Sequence, residues 1–253
     1  MDHHLRSSPL LALLTFLLSS LSSCVADYPA NTAYSYHGCL PGSAGATMQW
    51  CDFALTHTER LASLLGELTI EEKMGLLGPD PTLGSTCNDH TAGVPRVGLS
   101  EYMWLVETNT GANSQCLSNG AGESKCATTF NGPLGMGASF NRTSWRLKGG
   151  VVGTEIRAFN NMGWNRDAGG TTNEKIGLTG YGPNINNPRD PRFGRLSELP
   201  SEDPYHAGHY AVQEVAGAQE MDANGHPKMI TFLKHFTAYA KKRQRQRQRL
   251  RQR

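Results

Sequence analysis

The chain has 253 residues, with 24 basic and 22 acidic side chains and a formal charge of +2. Eight of the basic groups fall in the last thirteen residues, K-K-R-Q-R-Q-R-Q-R-L-R-Q-R from Lys241 to Arg253, so 16 basic groups face 22 acidic ones elsewhere and the body carries about −6. This distribution argues against nucleic acid as a partner of the body. The tail alone could bind anionic polymers by counterion release, although a low-complexity end is the commoner meaning of such a run.

The first 26 residues read as a secretory signal peptide. His3, His4 and Arg6 precede an apolar run from Leu10 to Leu18, and small residues lead to Cys24-Val25-Ala26, with cleavage expected after Ala26. That run is too short for a stable bilayer-spanning helix and no other stretch approaches ~20 apolar residues, so a secreted, extracellular protein without a membrane anchor is expected. The sequon Asn141-Arg142-Thr143 fits that route. Cys39, Cys51, Cys87, Cys116 and Cys126 remain beyond the signal, an odd number in a compartment that favours disulfides. Their connectivity is open, and the absence of C-x-x-C spacing and of a histidine set makes a zinc site or other metal cofactor unexpected.

Thr56-x-x-Glu59 and Thr69-x-x-Glu72 are capping-box patterns, each opening an apolar periodic run, first Leu61, Leu64 and Leu65, then Met74, Leu76 and Leu77. They predict two short helices. A strand with its loop is expected from Leu99 to Val106, and a loop rich in Gly, Ser and Asn from Gly111 to Asn131. Thr143 to Asn161 reads as helix, its apolar face formed by Trp145, Val152, Ile156 and Phe159, with Gly149, Gly150 and Gly153 suited to close packing against a sheet. A glycine-rich loop at Gly163 to Thr172, a strand at Leu178 to Ile185, a helix from Asp203-Pro204 to about Met221 and a strand at Met229 to Leu233 complete the pattern. Alternating strands and helices indicate the α/β class.

Between Tyr181 and Pro204 the sequence Y-G-P-N-I-N-N-P-R-D-P-R-F-G-R-L-S-E-L-P-S-E-D-P places Arg189, Arg192 and Arg195 among Asp190, Glu198, Glu202 and Asp203. Prolines 188, 191, 200 and 204 forbid a helix interior or a central strand, so the charges belong on a stiff loop. Guanidinium forks and carboxylates in fixed poses suit a ligand made of hydroxyl groups. The alternative is a surface loop tied by its own salt bridges.

This stretch resembles the β-xylosidase branch of glycoside hydrolase family 3, in which P-N-x-N leads into R-D-P-R-W-G-R and then E-x-P-x-E-D-P. In the same order the resemblance takes in W-C-D-F-A-L at Trp50 to Leu55, L-T-I-E-E-K at Leu68 to Lys73 and R-V-G-L at Arg96 to Leu99. A-S-F-N at Ala138 to Asn141, G-T-E-I-R-A at Gly153 to Ala158 and L-K-H-F at Leu233 to Phe236 follow. It covers about Trp50 to Tyr239. With the signal at 1–26 and the basic tail at 241–253 set apart, it implies a partial N-terminal domain at 27–240. The implied fold is a (β/α)8, TIM-barrel-like domain incomplete at its C-terminal side, with functional groups just past the strand C-termini.

A retaining glycosidase needs two carboxyl groups about 5 to 5.5 Å apart. In this family the nucleophile is an Asp in an S-D-x-x motif near a later barrel strand and the acid/base comes from a following domain. Neither has a counterpart here, so no catalytic residue is assigned. The resemblance implies that Lys234 and His235 hydrogen-bond ring hydroxyls, that Arg192 or Arg195 reaches another, and that Glu107 clamps the non-reducing end. Thr110 stands in place of the family histidine near Glu107, Phe193 in place of Trp and Ser201 in place of Gly. The expected ligand is a small oligosaccharide or an aryl or alkyl β-glycoside. A non-catalytic fragment that at most binds sugars is the alternative. Tyr102 and Trp104 could stack on a sugar, yet aromatic residues beside a strand are more often core.

Overall fold

The computed structural model of the chain describes residues 38–39, 41–78, 90–113, 116–118, 124–162, 165–166, 174–223, 225–236 and 239. The expected signal, the basic tail, Cys87 and most of the loop from Gly163 to Thr172 lie outside the described residues.

Both capping boxes form. Helix α1 (His57–Glu67) starts at Thr56, which accepts from the Glu59 amide while Glu59 reaches back to the Thr56 amide, and α2 (Ile70–Gly75) repeats this with Thr69 and Glu72. Their apolar stripes are only partly used: Leu64 and Leu76 pack on Leu68, Val94 and Val97, whereas Leu61, Leu65, Met74 and Leu77 are exposed. Arg96 ties this part together, pairing with Glu72 at 2.8 Å and donating to the Glu67 carbonyl at 2.6 Å.

Strands β1 (His90–Thr91) and β2 (Tyr102–Met103) form an antiparallel pair. The expected loop from Gly111 to Asn131 contains a hairpin instead. In it β3 (Leu117–Ser118) pairs with β4 (Ser124–Lys125), and the Cys116–Cys126 disulfide brackets the pair. Strands this short show no periodicity in sequence; the covalent link and the ladder hold them. A second disulfide joins Cys39 and Cys51. Strands β5 (Asn165–Arg166) and β6 (Glu174–Lys175) extend the hairpin to a four-stranded antiparallel sheet, so part of the expected glycine-rich loop is also paired.

The functional scaffold is parallel. Strand β7 (Thr179–Gly180) pairs in parallel register with β8 (Ile230–Thr231), Glu107 bridges Tyr181, and Asn184 bridges Lys234. Bonds from the Tyr181 amide to the Val106 carbonyl, and from Phe232 to Gly180, run along the same seams. Three segments therefore lie side by side, with residues 178–184 in the middle. The rings of Trp104, Phe232 and Tyr181 touch across them.

Helix α3 (Pro133–Ala138) is followed by α4 (Arg142–Asn161), which is capped by Asn141, and by α5 (Pro204–Ala218), capped by Asp203 with Pro204 in its first turn. α5 ends at Ala218, short of Met221, which bridges Pro227. Val152, Ile156 and Phe159 of α4 meet Val106, Ile176, Ala218 and Met229 in the main core. The G-T-E-I-R-A motif anchors α4 on both flanks: Glu155 accepts from the Thr128 amide and hydroxyl, and Arg157 donates to the carbonyls of Pro227 and Lys228.

The glycines of α4 serve a helix and not the expected sheet. A β-carbon at Gly149 would lie 2.1 Å from the Glu214 carbonyl oxygen, and one at Gly153 would lie 2.4 Å from that of Ala218. Both are backbone atoms of or beside α5. Gly149→Ala will therefore force the helices apart and destabilise the protein by about 1–3 kcal/mol, read as a lower urea midpoint, although alanine is the better helix former.

Candidate functional site

Parallel register puts the last residues of the three segments at one end. Glu107 follows the first, Asn184 and Asn186 close the second, and Lys234 and His235 close the third. The ammonium of Lys234 forks onto both Glu107 oxygens at 2.9 and 3.1 Å, a pair 127 residues apart in sequence. The peptide bond between Lys234 and His235 is cis.

Asn186 organises His235. Its Oδ1 accepts from the His235 amide at 3.3 Å and faces Nδ1 at 3.1 Å, while its Nδ2 donates to the Tyr239 carbonyl at 2.8 Å. An acceptor opposite Nδ1 puts the proton there in the neutral ring and leaves Nε2 as an acceptor. Partial burial, then the charges of Arg195 and Lys234, hold the His235 pKa below its ordinary value of 6.5. The unfolded chain thus takes up the proton first. The neutral ring contributes stability that is full above about pH 6.5 and is lost as pH falls through the lower, folded value. Titration of the His235 ring signals by NMR will give a midpoint below 6.5, whereas a midpoint at or above it would contradict this placement.

The stiff loop delivers Arg195 and Glu198. The Arg195 guanidinium lies 5.9 Å from the Tyr239 ring centre and forks onto Glu198 through Nε and Nη2. Glu198 also accepts from Asn184 at 2.8 Å and from Asn109 at 3.3 Å, and Asn109 reaches Glu107 at 3.5 Å. The fork from Arg195 holds the Glu198 carboxyl below the usual range. Two buried acceptors, Asn109 Oδ1 and Asn184 Oδ1, meet no donor among the described residues.

Lys234, His235, Arg195 and Glu107 are thus brought together. Arg192 is not: its side chain is 71 % exposed and clasps Asp190 of its own loop at 2.8 and 2.9 Å. A guanidinium so held faces solvent and is engaged by its own loop. Phe193, where the resemblance expects Trp, is buried with its edge against Tyr239. Tyr102 supports β7, accepting from the Leu178 amide, while Trp104 stays partly exposed on the ring ladder. Asn109 and Tyr239 complete the cluster with no mark in the sequence, whereas Glu198 comes with the charged loop and Asn184 and Asn186 with the P-N-I-N segment. The two-residue spacing of Asn184 and Asn186 at a strand end puts both on one face.

The arrangement joins an α/β scaffold to a strand-end cluster of amides, carboxylates and cations, a floor suited to polyhydroxylated ligands. No model of a known protein family matches the chain. Individual relatives do. The chain is 34 % identical over 228 residues to β-D-xylosidase 3 of Arabidopsis thaliana, covering 85 % of this chain and 26 % of that protein. It is also 34 % identical over 225 residues to the exo-1,4-β-xylosidase bxlB of Emericella nidulans, covering 88 % and 26 %. Among solved structures it superposes on a glycoside hydrolase family 3 exo-β-xylosidase, XlnD, in complex with a xylobiose aziridine probe. There the TM-score is 0.64 and the identity 27 %, over 80 % of this chain and 23 % of that one. A β-glucosidase 3B from Thermotoga neapolitana in complex with α-D-glucose matches with TM-score 0.54 and 25 % identity, over 72 % and 24 %. The chain is similar to β-xylosidases, one of them a glycoside hydrolase family 3 enzyme of solved structure, and spans about a quarter of the length of the curated relatives it matches.

Proposed function

We propose that the chain is the sugar-holding part of a β-glycosidase that releases terminal β-linked sugars, β-xylosides first and β-glucosides next, with retention of configuration. The three parallel segments belong, in this reading, to a (β/α)8 barrel of which the described residues form one side. The observation that carries the proposal is the Glu107–Lys234 fork beside His235 and Arg195 at the strand ends, in a chain homologous to β-xylosidases.

A second reading applies to the 253 residues themselves: sugar binding without turnover. Glu107 is engaged by Lys234 and Glu198 by Arg195, and the sequence contains no S-D motif. Calorimetric titration with xylose and xylobiose, alongside an aryl β-xyloside assay on the same sample, separates these outcomes. Binding without turnover supports the second reading, and turnover with a retained anomer supports an intact glycosidase. Failure to bind any pentose or hexose overturns both.

Secretion is part of the same proposal. Asn141 is exposed and caps α4 through Oδ1, which accepts from the Ser144 amide at 3.1 Å, and a glycan on Nδ2 would leave that bond in place. Expression through a eukaryotic secretory pathway is expected to give a glycosidase-sensitive mass increment that Asn141→Gln abolishes.

A further inference from the structure

Behind the sugar site, between α4 and α5, the side chain of Lys148 is fully buried. Its ammonium has a partner for each proton. It donates to the Asn109 carbonyl at 2.7 Å and to the Tyr210 hydroxyl at 3.0 Å, and it pairs with Glu214 Oε1 at 3.2 Å. Tyr210 in turn donates to Glu214, and both are buried.

Packing of the two helices gives no reason for this group. The glycine contacts already bring them together, and apolar side chains of similar volume would fill the same space without desolvating two charges. Of the three Lys148 contacts, the bond to Asn109 leaves the helix pair. That residue sits two positions after Glu107, in a turn held otherwise by Asn113 N to Glu107 O and by Phe130 N to Thr110 O. From there its side-chain amide spans Glu198 and Glu107.

We propose that Lys148 is a positioning residue of the site: by fixing the Asn109 carbonyl it aims the Asn109 amide at the two carboxylates and so sets the affinity for sugar. The inference deepens the sugar-binding reading and rests on it for its affinity arm. Burial pushes Lys148 down and Glu214 up from their ordinary pKa values, each opposed by attraction to the other, as befits a pair kept for its hydrogen bonds.

Lys148→Met alone strands a buried carboxylate, so the test uses the triple variant Lys148→Met, Tyr210→Phe, Glu214→Leu, which removes all three polar groups together. It is expected to melt below the parent by no more than the loss of the one donor to the Asn109 carbonyl, to bind xylose about tenfold more weakly, the scale of one hydrogen bond from a charged donor, and to shift the Asn109 side-chain amide signals in NMR. Unchanged affinity with unchanged Asn109 signals overturns the proposal. A second measurement uses the unaltered protein, so that folding of the variant is not decisive. Saturation with xylose is expected to shift the ammonium signal of Lys148, which touches no ligand, together with that of Lys234, and a shift of Lys234 alone overturns the proposal. If the parent binds no sugar, the functional reading fails, and the Asn109 signals of the triple variant still decide the positioning role.

Discussion

Replacing Lys234 by Met will weaken binding of xylose by roughly 10- to 100-fold, the range for losing a hydrogen bond from a charged donor. Lys234 is mostly enclosed, yet Glu107 opposite it is more than a third exposed, so the ion pair itself adds little to folding. Thermal stability is therefore expected to change by less than about 1 kcal/mol while affinity collapses. A variant that loses stability and affinity together would make Lys234 a structural residue. One that keeps its affinity would remove it from the site.

Glu198→Ala is the larger structural insult. Its carboxylate receives both arms of Arg195, the amide of the fully buried Asn184 and the amide of Asn109. Alanine leaves Arg195 without its counter-ion and Asn184 without the donor bond it makes, in a residue whose Oδ1 already meets no donor among the described residues. A loss of about 2–3 kcal/mol is expected, read as a lower urea midpoint at constant slope, together with loss of sugar binding. The parent protein also carries a pH signature here. Because the folded carboxyl is held below its ordinary value of 4.5, the contribution is present above that pH and lost as pH falls through the lower folded value. Glu198→Gln should flatten stability across that interval.

Much of this was legible in the chain because local chemistry decided it. Both capping boxes and the Asp203-Pro204 start of α5 depend on residues within one turn, and they formed where the spacing placed them. The strand ends carrying Lys234-His235 and the P-N-I-N segment were legible for a similar reason, since polar residues closing apolar runs mark where a strand leaves the core. The hairpin around Leu117 was not, because two-residue strands have no period and their stability comes from a disulfide whose pairing is a three-dimensional fact. Arg192 and Arg195 could not be separated by sequence. They lie three residues apart among similar neighbours, and only the loop's turn sends one to Asp190 and the other to Glu198. Lys148 and Glu214 leave a trace in the sequence. Each falls in phase with a buried stripe, Lys148 between Trp145 and Val152 and Glu214 between Tyr210 and Gly217, and a charge in such a phase marks a buried polar pair.

The fold and the site together make one claim, that the ends of three parallel segments form a floor that holds a sugar. Titration of the isotopically labelled chain with xylose, followed by NMR, tests it most directly. Saturable shifts gathered at Glu107, Asn109, Asn184, Asn186, Arg195, Lys234 and His235 are the expected result. No saturable shift at any sugar concentration, or shifts that avoid these residues, would contradict it.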